Sequence, residues 1–233
     1  VECVDCHNPH ASKETAAVAP NASGALAGVR GVDAAGAAVG QVTKEYELCF
    51  RCHADSLNRG TALVPRQFPE TNTRLNFAPG NASFHPVLAM GKQTTSPSLI
   101  APWNTTSQMY CTDCHNSDQS PSAGGTGANG PHGSIHTPLL ERQLVLSDFT
   151  SENSGTYALC YKCHDRTIVL SSASCPEHDR HVRSINASCS ICHDPHGISS
   201  AQGTTTNNAH LINFDKRFVT PSSSGILRWD QTS

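Results

Sequence analysis

The sequence predicts a mostly irregular fold, with short α-helices at five recurring motifs and few short strands. Three observations predict it. Cys-x-x-Cys-His occurs five times in 233 residues and takes ten of the eleven cysteines. Hydrophobic residues make up 37% of the chain and aromatic residues only 6%, which is lean for a self-sufficient core. Gly, Pro, Ser, Thr and Asn are abundant and strongly periodic stretches are scarce, so long irregular connections are expected between the motifs.

The motifs, in chain order, are Cys3-Val4-Asp5-Cys6-His7, Cys49-Phe50-Arg51-Cys52-His53, Cys111-Thr112-Asp113-Cys114-His115, Cys160-Tyr161-Lys162-Cys163-His164 and Cys189-Ser190-Ile191-Cys192-His193. Composition alone would supply far fewer than one. Each reads as the attachment site of one c-type haem. The two thiols form thioethers to the porphyrin edge, and the adjacent His becomes the proximal iron ligand. A zinc site needs paired Cys-x-x-Cys knuckles without an obligatory His, and a redox dithiol needs one motif in a thioredoxin-like context. Neither describes five such pentapeptides. One flat apolar haem per about 47 residues supplies the missing core, so the expected architecture is a multihaem cytochrome c wrapped around a haem stack.

Weak repetition accompanies the motifs. Cys-His-x-Pro-His occurs at Cys6–His10 and at Cys192–His196. Tyr-x-Leu-Cys-x-x-Cys-His occurs at Tyr46–His53 and at Tyr157–His164. This suggests haem-pair units near 1–60 and 150–215, in inverted order, within a single domain spanning 1–233. Between them, residues 116–130 read as the most flexible loop, Ala22–Val42 as a loop or weak short strands, and Thr220–Ser233 as an extended tail.

The second axial ligand of each iron decides between electron transfer and catalysis. Thirteen His less five proximal ones leave eight, enough to close every iron with three to spare. His10 and His196 follow a proximal His by three residues and are better placed to reach a neighbouring haem than their own. His132 lies in Gly130-Pro131-His132-Gly133, where glycine permits close backbone approach. His85, His181 and His210 complete the expected ligand set. His136 and His178 read as solvated or as partners of haem propionates. Met90 and Met109 are less favoured ligands than imidazole.

The formal charge is −3 with no basic block, which gives nucleic-acid binding no support. No run of 18 apolar residues exists, so no transmembrane segment is expected. The first motif begins at Cys3, and the chain reads as a processed, exported form. Cys175 is left over, for burial or an intermolecular disulfide. Sequons occur at Asn21, Asn81, Asn104 and Asn186.

The quoted motifs resemble those of the multihaem c-type cytochromes of metal-reducing bacteria and related archaea. Val1–Ser12 is similar to the start of outer-surface cytochromes that polymerise into conductive filaments, and His181–Asp215 to the C-terminal part of large exported members. The resemblance implies bis-His low-spin haems in stacked and T-shaped pairs, little regular secondary structure, and electron transfer. It implies a head-to-tail homo-polymer, extracellular or at the cell surface, exchanging electrons with redox-partner cytochromes or with acceptors such as metal oxides. A periplasmic or outer-surface shuttle is the alternative. Pentahaem nitrite reductases resemble this chain in haem count only. Their catalytic haem has Lys in place of the motif His, and here all five motifs end in His, so no enzyme is expected.

Overall fold

The computed structural model describes residues 1–57, 61–171, 175–204, 206–225 and 227–229. Among these the chain is mostly irregular. Six short helices are α1 (Cys3–Cys6), α2 (Glu45–His53), α3 (Thr73–Asn76), α4 (Ala158–Tyr161), α5 (Arg166–Val169) and α6 (Cys189–Cys192). Tight 3-10 turns cover Gly24–Leu26, Cys111–Asp113 and Pro121–Ala123, and a wider π-type turn covers Asp179–Ser184. No helix among the described residues is long and apolar enough to cross a membrane.

Two antiparallel ladders complete the regular structure. β1 (Gly31–Val32) pairs with β2 (Ala38–Val39) in the Ala/Gly-rich stretch. Asp33 closes that hairpin by accepting the Ala35 and Ala37 N–H groups on Oδ1, at 2.9 and 2.8 Å. β3 (Ser83–Phe84) pairs with β4 (Gly197–Ile198), which brings the middle of the chain against its last motif. Arg66 makes a second tie there. Its buried guanidinium donates to the Ser190 and Asn213 carbonyls at 2.6 and 2.9 Å and faces Asp194 at 3.6 Å.

The loop at 116–130 differs from its sequence expectation. It is closed on itself by hydrogen bonds. Asn116 is buried and donates through Nδ2 to Glu141, Ser120 and Ser122, while its Oδ1 accepts the Gly130 N–H at 2.6 Å. Small polar residues, which suggest solvation when read singly, here satisfy one another around one Asn. Of the expected extended tail, residues 226 and 230–233 lie outside the described residues. The described remainder has no helix or strand.

The interior of the protein alone is not a hydrophobic core. Among the described residues, 19 buried residues are polar or charged against 17 hydrophobic. The apolar ones gather in two clusters of three buried residues each: Phe77, Val87 and Met109, and Tyr157, Leu170 and Val182. Motif cysteines border both: Cys111 and Cys114 the first, Cys160 and Cys189 the second.

Candidate functional site: five motif turns and their imidazoles

Four of the five motifs fold around a single short helical turn, and the second forms the end of a longer helix. In those four the His N–H donates to the carbonyl of the first Cys: His7 to Cys3 at 2.8 Å, His115 to Cys111 at 2.9 Å, His164 to Cys160 at 3.0 Å and His193 to Cys189 at 2.9 Å. The second motif lies within α2. In the first and third motifs the residue before the second Cys is Asp, and it caps its own turn. Asp5 accepts the Glu2 N–H and Asp113 the Tyr110 N–H, both at 2.7 Å. The shared turn gives each Cys pair and its His one relative placement. None of the eleven cysteines is in a disulfide.

Consecutive motifs touch. Arg51 of the second donates to the Asp5 carbonyl of the first. Thr112 N–H of the third reaches Glu45, at the start of α2, at 3.2 Å. Lys162 Nζ of the fourth donates to the Asp113 carbonyl of the third at 2.6 Å. The Cys160 and Cys189 side chains are electrostatic neighbours, linking fourth to fifth, as are those of Cys49 and Cys111. Order along the chain is therefore order in space.

Imidazoles face one another across gaps. The ring centres of His7 and His132 are 6.1 Å apart with planes 21° from parallel. Those of His115 and His196 are 6.1 Å apart at 18°, and those of His193 and His178 are 5.9 Å apart at 66°. His85 lies within electrostatic range of His164. These spacings lie within the range of ordinary ring contacts, and they also match a second geometry. Two metal–imidazole bonds of about 2 Å each, plus half a ring on either side, come to roughly 6 Å.

The other ring nitrogen is tied back in most of these residues. Nδ1 meets the Ala25 carbonyl in His7 (3.0 Å), the His210 carbonyl in His193 (2.9 Å) and the Val169 carbonyl in His178 (3.0 Å). In His164 it meets Ser98 Oγ (2.9 Å), and in His85 the Pro195 carbonyl. The Pro138 and Leu139 backbone lies beside the His115 ring. A hydrogen bond at Nδ1 fixes the tautomer and presents Nε2 as a metal-binding lone pair. Gly130 assists His132: at φ +110°, a Cβ there would lie 3.1 Å from the His132 ring.

Burial favours the neutral form of six imidazoles. Desolvation lowers His164, His193 and His196 to about 4, and lowers His85, His115 and His178 as well. The His196 side chain nevertheless keeps 41% of its surface accessible. Paired thiols with an adjacent imidazole and a second imidazole about 6 Å away fit a covalently held haem.

The structure brings His85, His132 and His196 to these positions, and adds one the sequence did not single out. His178, expected to be solvated or beside a propionate, faces His193. His181, expected as the ligand, is exposed one turn further on. The wide turn beginning at Asp179 separates the two, and Val169 supplies the carbonyl that holds His178. No signal in the sequence distinguished them. The His210 ring packs edge-on to Trp229 at 5.8 Å, and only its carbonyl serves His193. His136 lies in a bridge with Leu140. His10 and His53 are exposed, and among the described residues no ring stands against His53 at the spacing of the other pairs. Met109 is buried in an apolar cluster and Met90 is exposed.

Among the described residues no group of three or more His, Cys, Asp and Glu side chains converges as a protein-only metal site. The chain matches no protein-family model, no curated protein and no solved structure.

Proposed function

We propose that this chain is a non-catalytic electron-transfer protein carrying five covalently bound c-type haems. The observation that carries the reading is the set of imidazole pairs about 6 Å apart, each with one member on a Cys-x-x-Cys turn. Each haem supplies an iron that accepts and releases one electron. The protein's residues do the rest. The thiol pairs anchor the porphyrins. His7, His115, His164 and His193 bind as proximal ligands, with His132, His196, His85 and His178 opposite them. The tied Nδ1 atoms hold these rings in place, so little rearrangement accompanies a change of charge. Contacts between successive motifs keep neighbouring haem edges close, in the order one to five.

The reading extends to a polymer. His53 has no facing ring within the described chain, and His10 stands exposed on the first motif. A head-to-tail contact in which His10 of one copy closes the His53 iron of another would continue the row between subunits, and a heterologous contact that does not close gives a fibre. The setting is the cell exterior, with partner cytochromes or mineral oxides as acceptors. Electron microscopy of the purified protein tests this: filaments of constant width are expected, and monodisperse monomers would leave a soluble shuttle. Carbon monoxide added to reduced filaments should leave the Soret band unchanged. A large change would reveal an open iron and overturn the non-catalytic reading.

A further inference from the structure

Four Asn-x-Ser/Thr sequons occur, and the fold treats them differently. Asn81 is 1% exposed, and its amide donates to the Leu75 and Asn76 carbonyls at 2.7 and 2.6 Å. The hydroxyl residue of the Asn186 sequon, Ser188, is 2% exposed and bonded to Ser190, and Asn186 itself has φ +61°. Asn21 is pinned in a bridge to Lys44, whose Nζ holds its Oδ1 at 2.6 Å, while its carbonyl accepts the Tyr110 hydroxyl. Asn21 is exposed, as Asn104 is; what sets Asn104 apart from all three is that, among the described residues, its side-chain oxygen is bound only by its own sequon's Thr106. Thr106 is exposed too, and Oδ1 of Asn104 accepts both the Thr106 N–H at 2.9 Å and the Thr106 hydroxyl at 2.6 Å. Among the described residues its Nδ2 has no hydrogen-bond partner and is left to solvent.

We infer that Asn104 is a glycan attachment site, modified by a transferase that uses a lipid-linked (di)phosphate sugar donor. The step forms a bond between Asn104 Nδ2 and the sugar anomeric carbon. It breaks that carbon's bond to phosphate oxygen, the lipid phosphate departs with the electron pair, and one Nδ2 proton passes to the transferase. No oxidation or reduction occurs. An amide nitrogen is a weak nucleophile because its lone pair is delocalised. Two donors on Oδ1 stabilise negative charge there and lower the cost of removing the Nδ2 proton. The turn supplies both from one residue, Thr106. It also aims Nδ2 outward, where a transferase can reach it without unfolding the chain.

The inference rests on the reading of an exported protein, and its test separates the two. The full chain, recovered from outside the cells that naturally produce it, is measured by intact and peptide mass. One glycan-sized increment per chain is expected on the peptide containing Asn104. Asn104→Gln and Thr106→Ala should abolish it, and Thr106→Ser should keep it. Both positions are on a surface turn, so the three variants should fold, and unchanged haem spectra would confirm that they do. The same spectra count covalent porphyrins. Porphyrin-loaded chains with Asn104 bare, or with the increment at Asn21, Asn81 or Asn186 in its place, would overturn the inference and leave the electron-transfer proposal standing. A glycosylated Asn104 on a chain without porphyrin would support it and overturn the other.

Discussion

His115 and His196 come from opposite halves of the chain, yet their ring centres stand 6.1 Å apart with planes only 18° from parallel. The β3–β4 ladder next to His196 and the helical turn beneath His115 fix this gap between them.

If imidazoles close both faces of the iron, removing one distal ring opens one site in five. His196→Ala and His178→Ala should each convert about one fifth of the haem to a high-spin, carbon-monoxide-binding form. His181→Ala should convert none. Magnetic circular dichroism of the oxidised variants reads this directly. An open iron in His181→Ala and none in His178→Ala would reverse the assignment made here.

Glu45 is buried between the second and third motifs, and its Oε2 has no hydrogen-bond partner among the described residues. Desolvation, opposed by hydrogen bonds from Thr112 and reinforced by Asp113, raises its pKa from 4.5 to about 7. Between these values the folded chain holds a proton that the unfolded chain has released. Folding stability contributed by this residue is therefore full below about 4.5 and declines as pH rises towards 7, by up to ~3 kcal/mol. Glu45→Gln keeps an acceptor for the Thr112 N–H and removes the titration. Denaturant unfolding of the holoprotein at pH 5 and pH 8 should show a smaller difference in the variant than in the native chain.

Arg66 serves two carbonyls and a carboxylate at the fifth motif from a buried position. Arg66→Leu retains its apolar stem and abandons all three acceptors. A loss of about 3–5 kcal/mol is expected, as for a buried ion pair broken on one side. Thermal unfolding measures it. A change below about 1 kcal/mol would mean that water replaces the guanidinium there.

Removing the haems tests the core itself. Two clusters of three buried hydrophobic residues cannot offset the conformational entropy of a chain this long. The same chain produced without haem attachment should lack a cooperative thermal transition and show a largely disordered far-ultraviolet spectrum. A folded apoprotein with a sharp transition would contradict the view that haem is the core.

Much of the candidate site was legible in the sequence for a local reason. A Cys-x-x-Cys-His turn is short, and the hydrogen bond from the His amide to the first Cys carbonyl places all three side chains without help from the rest of the fold. Asp5 and Asp113 cap their own turns in the same way. The loop at 116–130 was illegible because its order comes from Glu141, distant in the chain, meeting Asn116 inside the protein. The choice between His178 and His181 was hidden for a similar reason, since a carbonyl on α5 makes it.

By itself the sequence located five Cys-x-x-Cys-His turns, where porphyrins are proposed to attach, and the five imidazoles beside the paired thiols. Those properties are set within five consecutive residues. Only the tertiary structure decided which second imidazole stands near four of those rings, that successive motifs are spatial neighbours, and how the four sequon asparagines differ in exposure and bonding. Those depend on backbone carbonyls, short ladders and buried charges from remote segments, and no local pattern encodes where remote segments meet.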